Sequence, residues 1–154
     1  MTTAEIRMSH APLTARLSTY ARLPERVPFW AVQLTGRIAV AHVFWNSAQT
    51  KLASWEVTRQ LFAYEYALPL IDPDIAAVLG TAAELAGSVM LALGLFARFG
   101  ALMLIGVVAT IQLFVFPENW GDHLLWFALL ALILVRGAGA VSIDAIAARV
   151  LSRR

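Results

Sequence analysis

Apolar residues fall into four long stretches along the chain, separated by polar residues, prolines and glycines. A membrane-spanning helix needs roughly 20 mainly apolar residues at about 1.5 Å per residue. The pattern therefore predicts an all-α integral membrane protein whose residues 29–136 form an antiparallel four-helix bundle. The predicted spans are Phe29 to Ser47, Ile75 to Ala97, Phe99 to Phe116 and Trp120 to Arg136, the last short enough to begin within the membrane interface.

Amphipathic segments flank the predicted bundle. Residues 1–28 place apolar side chains at helical spacing, which predicts a short helix on the membrane surface, with a partly disordered tail as the alternative. Residues 137–154 begin with helix-breaking glycines and then oppose apolar to basic side chains, which predicts an amphipathic C-terminal helix. The connection 49–74 is also amphipathic and too long for a tight turn, so we expect it to cover the mouth of the bundle.

The composition agrees with a membrane protein, since 60% of the residues are hydrophobic, 14% are charged and the mean hydropathy is +0.71. Cysteine is absent, which excludes disulfide exchange, thiolate catalysis and Cys-ligated metal centres. No secretory signal peptide is evident, so we expect the first span to remain as an anchor. The net charge is only +2 and the basic residues lie at helix flanks, so nucleic acid is not expected as a partner. The expected partner is the lipid bilayer.

Lysine and arginine residues are divided unequally between the two sides of the predicted bundle. One side carries Arg7, Arg16, Arg22, Arg26, Arg98, Arg136, Arg149, Arg153 and Arg154. The other side carries Lys51 and Arg59. The positive-inside rule therefore predicts that both termini are cytoplasmic and that the two long connections face outward.

Glu84 is the carboxylate inside the second apolar stretch. It shares a helical face with Gly80 and Gly87, and such small residues let another helix approach closely. A carboxylate within the bilayer is costly, so it serves either as a functional group or as a strut between helices, and the pattern leaves both roles open. Arg37 lies at a similar predicted depth and is expected to pair with Glu84, whereas Lys51 is expected to snorkel toward the outer surface.

Polar residues on all four predicted spans indicate one outward-opening cavity, which is the candidate site. The candidate cavity residues are Arg37, His42, Glu84, Gln112 and His123, and the candidates at its outer mouth are Lys51, Glu65, Trp120 and Asp122. The alternative for His42 is a buried hydrogen bond between helices, and for His123 a simple position at the membrane interface.

Three chemistries could use this cavity. A quinone headgroup would receive hydrogen bonds from His42, His123 and Gln112, with Glu84 as a proton relay. A haem would need His42 and His123 to face each other across the bundle, and a metal ion would need further ligands from Glu65 or Asp122. The chain has three histidines and no HxxH or HxxxH spacing, so haem and metal are less favoured than quinone, and no metal ligand is assigned.

Several longer motifs occur in a fixed order, namely GRIAVAHVFWNSAQTK, LFAYEYALPL, AAVLGTAAELAGSVMLALGLFARFGALML, IQLFVFPENWGDHLLW and GAGAVSID. Their order and spacing between Gly36 and Asp144 resemble the DoxX family of small four-span bacterial membrane proteins. The resemblance implies a location in the bacterial inner membrane. The positions that match the family pattern are Arg37, Lys51, Glu65, Pro69, Glu84, Pro117 and Asp144, while Ala48 stands where the family often has glycine.

The resemblance also implies a redox context. Members of the family are associated with membrane oxidoreductase assemblies, including quinone-linked thiosulfate dehydrogenase subunits and a mycobacterial complex that handles oxidative stress. The leading hypothesis is a membrane subunit of a quinone-linked oxidoreductase, with a partner redox subunit and a homo-oligomer as expected associations. The alternatives are a scaffold subunit without catalysis, in which Arg37 and Glu84 hold the helices together, and a permeation protein for small solutes.

Overall fold

The computed structural model describes residues 27–152, and this part of the chain is helical without strands. The helices are α1 (Phe29–Ala53), α2 (Trp55–Gln60), α3 (Pro73–Leu93), α4 (Ala97–Thr110), α5 (Trp120–Arg136) and α6 (Ile143–Leu151). Two π-helical segments, Leu61–Tyr66 and Ile111–Val115, follow α2 and α4. The all-α prediction is confirmed for the described residues, and the predicted N-terminal surface helix lies almost wholly outside them.

Local signals in the sequence set the bounds of α3. The side chain of Asp72 accepts hydrogen bonds from the backbone N–H groups of Asp74 and Ile75, at 2.9 and 3.2 Å, and Pro73 occupies the first turn. This arrangement satisfies helix donors that have no partner within the helix. The helix ends at Leu93 and is followed by its cap Gly94, whose φ of 64° is the left-handed conformation that glycine adopts without steric cost. The predicted second span therefore ends four residues too late, at Ala97.

The first helix is longer than predicted, because no proline or glycine interrupts the chain between Ser47 and Ala53. This extra length carries Lys51 on a regular helical turn toward α3. Helix α1 packs against α3, α3 against α4, α4 against α5, and α5 closes back on α1. The described core lies between these four helices and includes Val40, Phe44, Leu91, Leu104 and Leu130, all of them almost fully buried.

Within residues 27–152, two helical stretches are long and apolar enough to cross a membrane. They are Pro73–Leu93, with 21 residues, and Ala97–Val115, with 19 residues, and the mean hydropathy of an 18-residue window is 1.7 in the first and 1.9 in the second. The buried share of these windows is 39% and 28%, so a large part of each apolar surface stays outside the core, where lipid can contact it. Helix α5 has 17 residues and is shorter than a typical span.

The segment after α5 folds back over the turn between α3 and α4. The carboxylate of Asp144 accepts hydrogen bonds from the backbone N–H groups of Phe96 and Ala97, at 2.8 and 3.0 Å, and thereby caps the start of α4. The backbone N–H of Asp144 donates to the carbonyl of Gly94 at 2.9 Å. These contacts fasten the C-terminal segment to one end of the packed helices, and the candidate site lies at the opposite end.

Candidate functional site

A cavity of about 460 Å³ lies between α1, α3, α4 and α5, at the end of these helices away from the α3–α4 turn. Most of the side chains that form its wall are apolar, and a smaller number are polar. The polar side chains that line it are Ser47, Lys51, Tyr66, Glu84, Thr110, Asn119 and His123. A concave apolar site with few polar groups is the usual form of a small-molecule site.

Lys51 and Glu84 form an ion pair in the wall of this cavity. The Lys51 Nζ donates to both Glu84 carboxylate oxygens, at 2.9 and 2.7 Å, and to the hydroxyl oxygen of Ser47 at 2.7 Å. The Glu84 side chain is 3% exposed and the Lys51 side chain 12% exposed. Three acceptors match the three N–H donors of the ammonium group, so the pair is satisfied within the protein.

A second set of hydrogen bonds, through the side chain of Gln112, holds His123 in place. Its Nδ1 lies 2.6 Å from the side-chain oxygen of Gln112, and the Gln112 amide nitrogen donates to the carbonyl of Pro117 at 2.7 Å. Gln112 belongs to the π-helical segment Ile111–Val115, and π-helical turns in α-helices often occur at functional sites. His123 as a whole residue is 3% exposed, and it lines the cavity.

Aromatic rings from the segment Leu61–Tyr66 meet the ring of Phe116, which follows Ile111–Val115, and all three rings line the cavity. The rings of Phe62 and Tyr66 pack edge to face with centroids 4.9 Å apart, and Tyr66 packs in the same way on Phe116 at 6.0 Å. Burial, followed by the nearby carboxylates of Glu65 and Glu84, raises the pKa of Tyr66 above its usual value. The phenol is therefore protonated at neutral pH and is available as a hydrogen-bond donor.

The cavity also has an opening on the outer surface of α4. Gly106 lines the cavity and is exposed, and no atom lies within 4 Å of the position that a Cβ would occupy there. On α3, the exposed Leu79 borders the same cavity. An apolar molecule could therefore enter sideways between α3 and α4.

A family model described as DoxX matches residues 32–117, which is more than half of the chain. The chain belongs to the DoxX family. It is accordingly a membrane protein of the DoxX type, in agreement with its two apolar helical stretches. No curated protein and no solved structure gives a significant match. The matched region contains Lys51, Glu84 and Gln112, whereas His123 lies beyond it.

In this DoxX protein Arg37 does not contact Glu84, so the prediction that these two residues form an ion pair is wrong. The Arg37 guanidinium donates to the backbone carbonyls of Ala138 and Val141, the latter at 2.8 Å. A Cβ on Gly94 would lie 2.7 Å from Arg37 Nη1, so Arg37 faces α3 ten residues beyond Glu84, which is about 15 Å along the helix. Lys51 takes its place as the partner of Glu84, rather than snorkelling toward the surface.

The other predicted site residues are divided between the cavity and the surface. Gln112 supports the cavity wall through His123, whereas the exposed His42 lines a separate groove and lies 3.0 Å from the Asn46 amide nitrogen, on the next turn of α1. The two histidines thus do not face each other as a haem would require. Three outer-mouth candidates are exposed and do not line the cavity, namely Glu65, Trp120 and Asp122.

Metal binding finds no support in the described part of the chain, where no group of three or more histidines and carboxylates lies close enough to hold an ion. The sequence-based reasoning also missed several cavity residues. Ser47, Tyr66 and Trp126 resemble ordinary interface and core positions in the sequence. Gly106 at the opening is a small residue within an apolar helix, but α4 also contains Gly100, which packs against Met90, so the sequence alone did not mark Gly106 as a gap.

Proposed function

We propose that this DoxX protein is a four-span subunit of the bacterial inner membrane that presents a quinone site to a redox partner. Both termini would be cytoplasmic, and the cavity would then lie in the outer half of the membrane. The observation that carries the proposal is the 460 Å³ cavity itself, because it combines an apolar wall with a buried ion pair and a buried histidine. A quinone headgroup has the matching chemistry, with a flat apolar ring and polar oxygens.

Residues of this chain would bind and orient the ring. The hydroxyls of Ser47 and Tyr66 can donate hydrogen bonds to a quinone oxygen, and Trp126 offers a flat aromatic surface within the cavity. Glu84 would be the carboxylate that exchanges a proton with the headgroup, and its two oxygens accept hydrogen bonds from the Lys51 ammonium. The partner subunit would supply or accept the electrons, and the opening at Gly106 would admit the quinone from the lipid.

A scaffold subunit is the second candidate, and one observation favours it. All three donors of Lys51 are engaged inside the protein, so the ion pair can serve as a strut between α1 and α3 without any ligand. In that case the polar groups stabilise a surface on which other subunits assemble. The two candidates differ in whether the cavity binds a headgroup.

The test is a titration of the purified protein in nanodiscs with decylubiquinone, followed by quenching of tryptophan fluorescence. Gly106→Leu should abolish saturable quenching because its side chain would enter the opening, where no atom lies within 4 Å of the added Cβ. Gly121→Leu is the matched control, since that glycine also has open space around it but does not line the cavity. Saturable quenching that persists unchanged in Gly106→Leu, or is absent from the natural protein, would favour the scaffold.

A further inference from the structure

We infer that the cavity selects a headgroup that carries a hydrogen-bond donor, and that Nε2 of His123 is the acceptor responsible. The preferred ligand class is therefore an apolar molecule with a phenolic hydroxyl, such as the hydroquinone form of a quinone. The inference rests on the proposed function, because it assigns a class of headgroup to the same cavity. It depends on three steps, each of which concerns one hydrogen bond or its absence.

The first step fixes the orientation of the Gln112 amide. A backbone carbonyl can only accept hydrogen bonds, and the carbonyl of Pro117 lies 2.7 Å from one end of this amide. The amide nitrogen must occupy that end, since the opposite orientation would place two oxygens against each other. The Gln112 oxygen then faces the ring of His123.

The second step fixes the tautomer of His123. The Gln112 oxygen accepts at 2.6 Å from Nδ1, so Nδ1 carries a proton. No carboxylate among residues 27–152 lies within ion-pair distance of His123. In the neutral ring the second nitrogen, Nε2, is therefore an acceptor.

The third step concerns what Nε2 can contact. It has no hydrogen-bond partner among the described residues, although the ring as a whole is buried and lines the cavity. The buried side-chain atoms that lack a partner among residues 27–152 do not include Nε2, so this nitrogen is accessible from the cavity that His123 lines. A ligand that covers Nε2 without donating a hydrogen bond leaves the acceptor unsatisfied, so a ligand that supplies a donor gains more than one that does not. The hydroxyls of Ser47 and Tyr66 rotate and adapt to either kind of ligand group, whereas the Gln112 amide holds His123 in one tautomer.

The surroundings of His123 also suit an aromatic headgroup. The ring of Trp126 lies 5.3 Å from the imidazole between centroids, and Trp126 packs edge to face on Phe44 at 5.8 Å. Both Trp126 and Phe44 line the cavity, so a flat ring would find aromatic neighbours beside the acceptor. A phenol meets both requirements, because its ring packs there and its hydroxyl donates to Nε2.

A matched pair of ligands tests this selectivity. Retention of para-heptylphenol and of para-heptylanisole by protein-containing nanodiscs is measured against protein-free nanodiscs of the same lipid. The phenol should bind about tenfold more tightly, since the ether cannot donate a hydrogen bond. Equal affinity of the two ligands would overturn the donor selectivity and leave the headgroup site intact, whereas specific retention of neither would overturn both proposals.

Variants and a direct observation of the tautomer complete the test. Two variants should reduce the tenfold preference toward equality. His123→Phe keeps an aromatic ring but removes the acceptor, and Gln112→Leu removes the oxygen that holds His123 in one tautomer. His42→Phe is the control, because His42 lies outside the cavity. Nitrogen NMR of the natural protein with labelled histidine should show a protonated Nδ1 and an unprotonated Nε2 at His123. A protonated Nε2 would overturn the inference even if the variants failed to fold.

Discussion

The ammonium nitrogen of Lys51 lies 2.7 and 2.9 Å from the two carboxylate oxygens of Glu84, and this pair joins α1 to α3 in the wall of the cavity. Both side chains are largely withdrawn from the surface, so removing one charge leaves the other without its partner. Each single change, Lys51→Met or Glu84→Gln, should destabilise the protein by about 3–5 kcal/mol. The double variant should recover much of this loss, as measured by unfolding in detergent.

Arg37 supplies the control for this pair. Its hydrogen bonds go to the carbonyls of Ala138 and Val141, so the effects of Arg37→Met and Glu84→Gln should add within about 0.5 kcal/mol. Coupling between Arg37 and Glu84, together with additivity between Lys51 and Glu84, would contradict the observed pairing.

The same substitution should have opposite effects at two glycines. A Cβ on Gly87 would lie 2.6 Å from Cγ of Leu104, so Gly87→Ala should cost about 1–3 kcal/mol through overpacking of α3 against α4. Gly106 has open space, and Gly106→Ala should stabilise α4 by up to about 1 kcal/mol through helix propensity. Thermal unfolding of both variants in one detergent measures the difference, and an equal loss at both sites would contradict the packing described.

Asp144 should stabilise the start of α4 from a distance in the sequence. Its carboxylate accepts from the backbone N–H groups of Phe96 and Ala97, so Asp144→Ala should cost about 0.5–2 kcal/mol, the range for loss of a helix cap. Hydrogen exchange at Ala97 and nearby amides should accelerate in the variant. Glu118→Ala is the control, since Glu118 is exposed, and an equal change there would show that the effect is not due to capping.

Tyr66 should make stability depend on pH in the alkaline range. Its pKa is raised in the folded protein, so the folded state keeps the phenol proton longer than the unfolded state, whose pKa is about 10. The contribution of the Tyr66 phenol to the free energy of unfolding is fully present below the pKa of the unfolded state. It is lost as the pH rises through the pKa of the folded state. Ultraviolet titration should show a late phenolate transition that Tyr66→Phe removes, and the alkaline loss of stability should become smaller in that variant.

The regular elements could be predicted largely from local residues. Asp72, Pro73 and Gly94 bound α3 through capping and backbone conformation, which depend on neighbours in the chain. The long apolar stretches likewise indicated a membrane protein, because transfer of such residues to lipid depends on composition and length rather than on partners. The π-helical segments were not predicted, since they differ from α-helix by a local change in hydrogen bonding that no residue type specifies.

The candidate site was predicted in part. The importance of Glu84 as a buried carboxylate followed from the sequence, as did the place of His123 near one end of its helix. The partner of Glu84 did not follow, because the depth of each residue was counted from separate helix ends, and α1 extends beyond the predicted end of its span. The register of α1 against α3 depends on how their side chains interlock.

The helical class, the apolar stretches and the presence of buried charge in a protein with few charged residues all follow from the order of the amino acids alone. The tertiary structure decided which charges meet: Lys51 reaches Glu84 near one end of α3, while Arg37 faces Gly94 near the other. It also decided that His123 lines the cavity and that His42 does not. The physical reason is that hydrophobicity and capping act over a few residues, whereas contacts between helices depend on their register and rotation, which only packing sets.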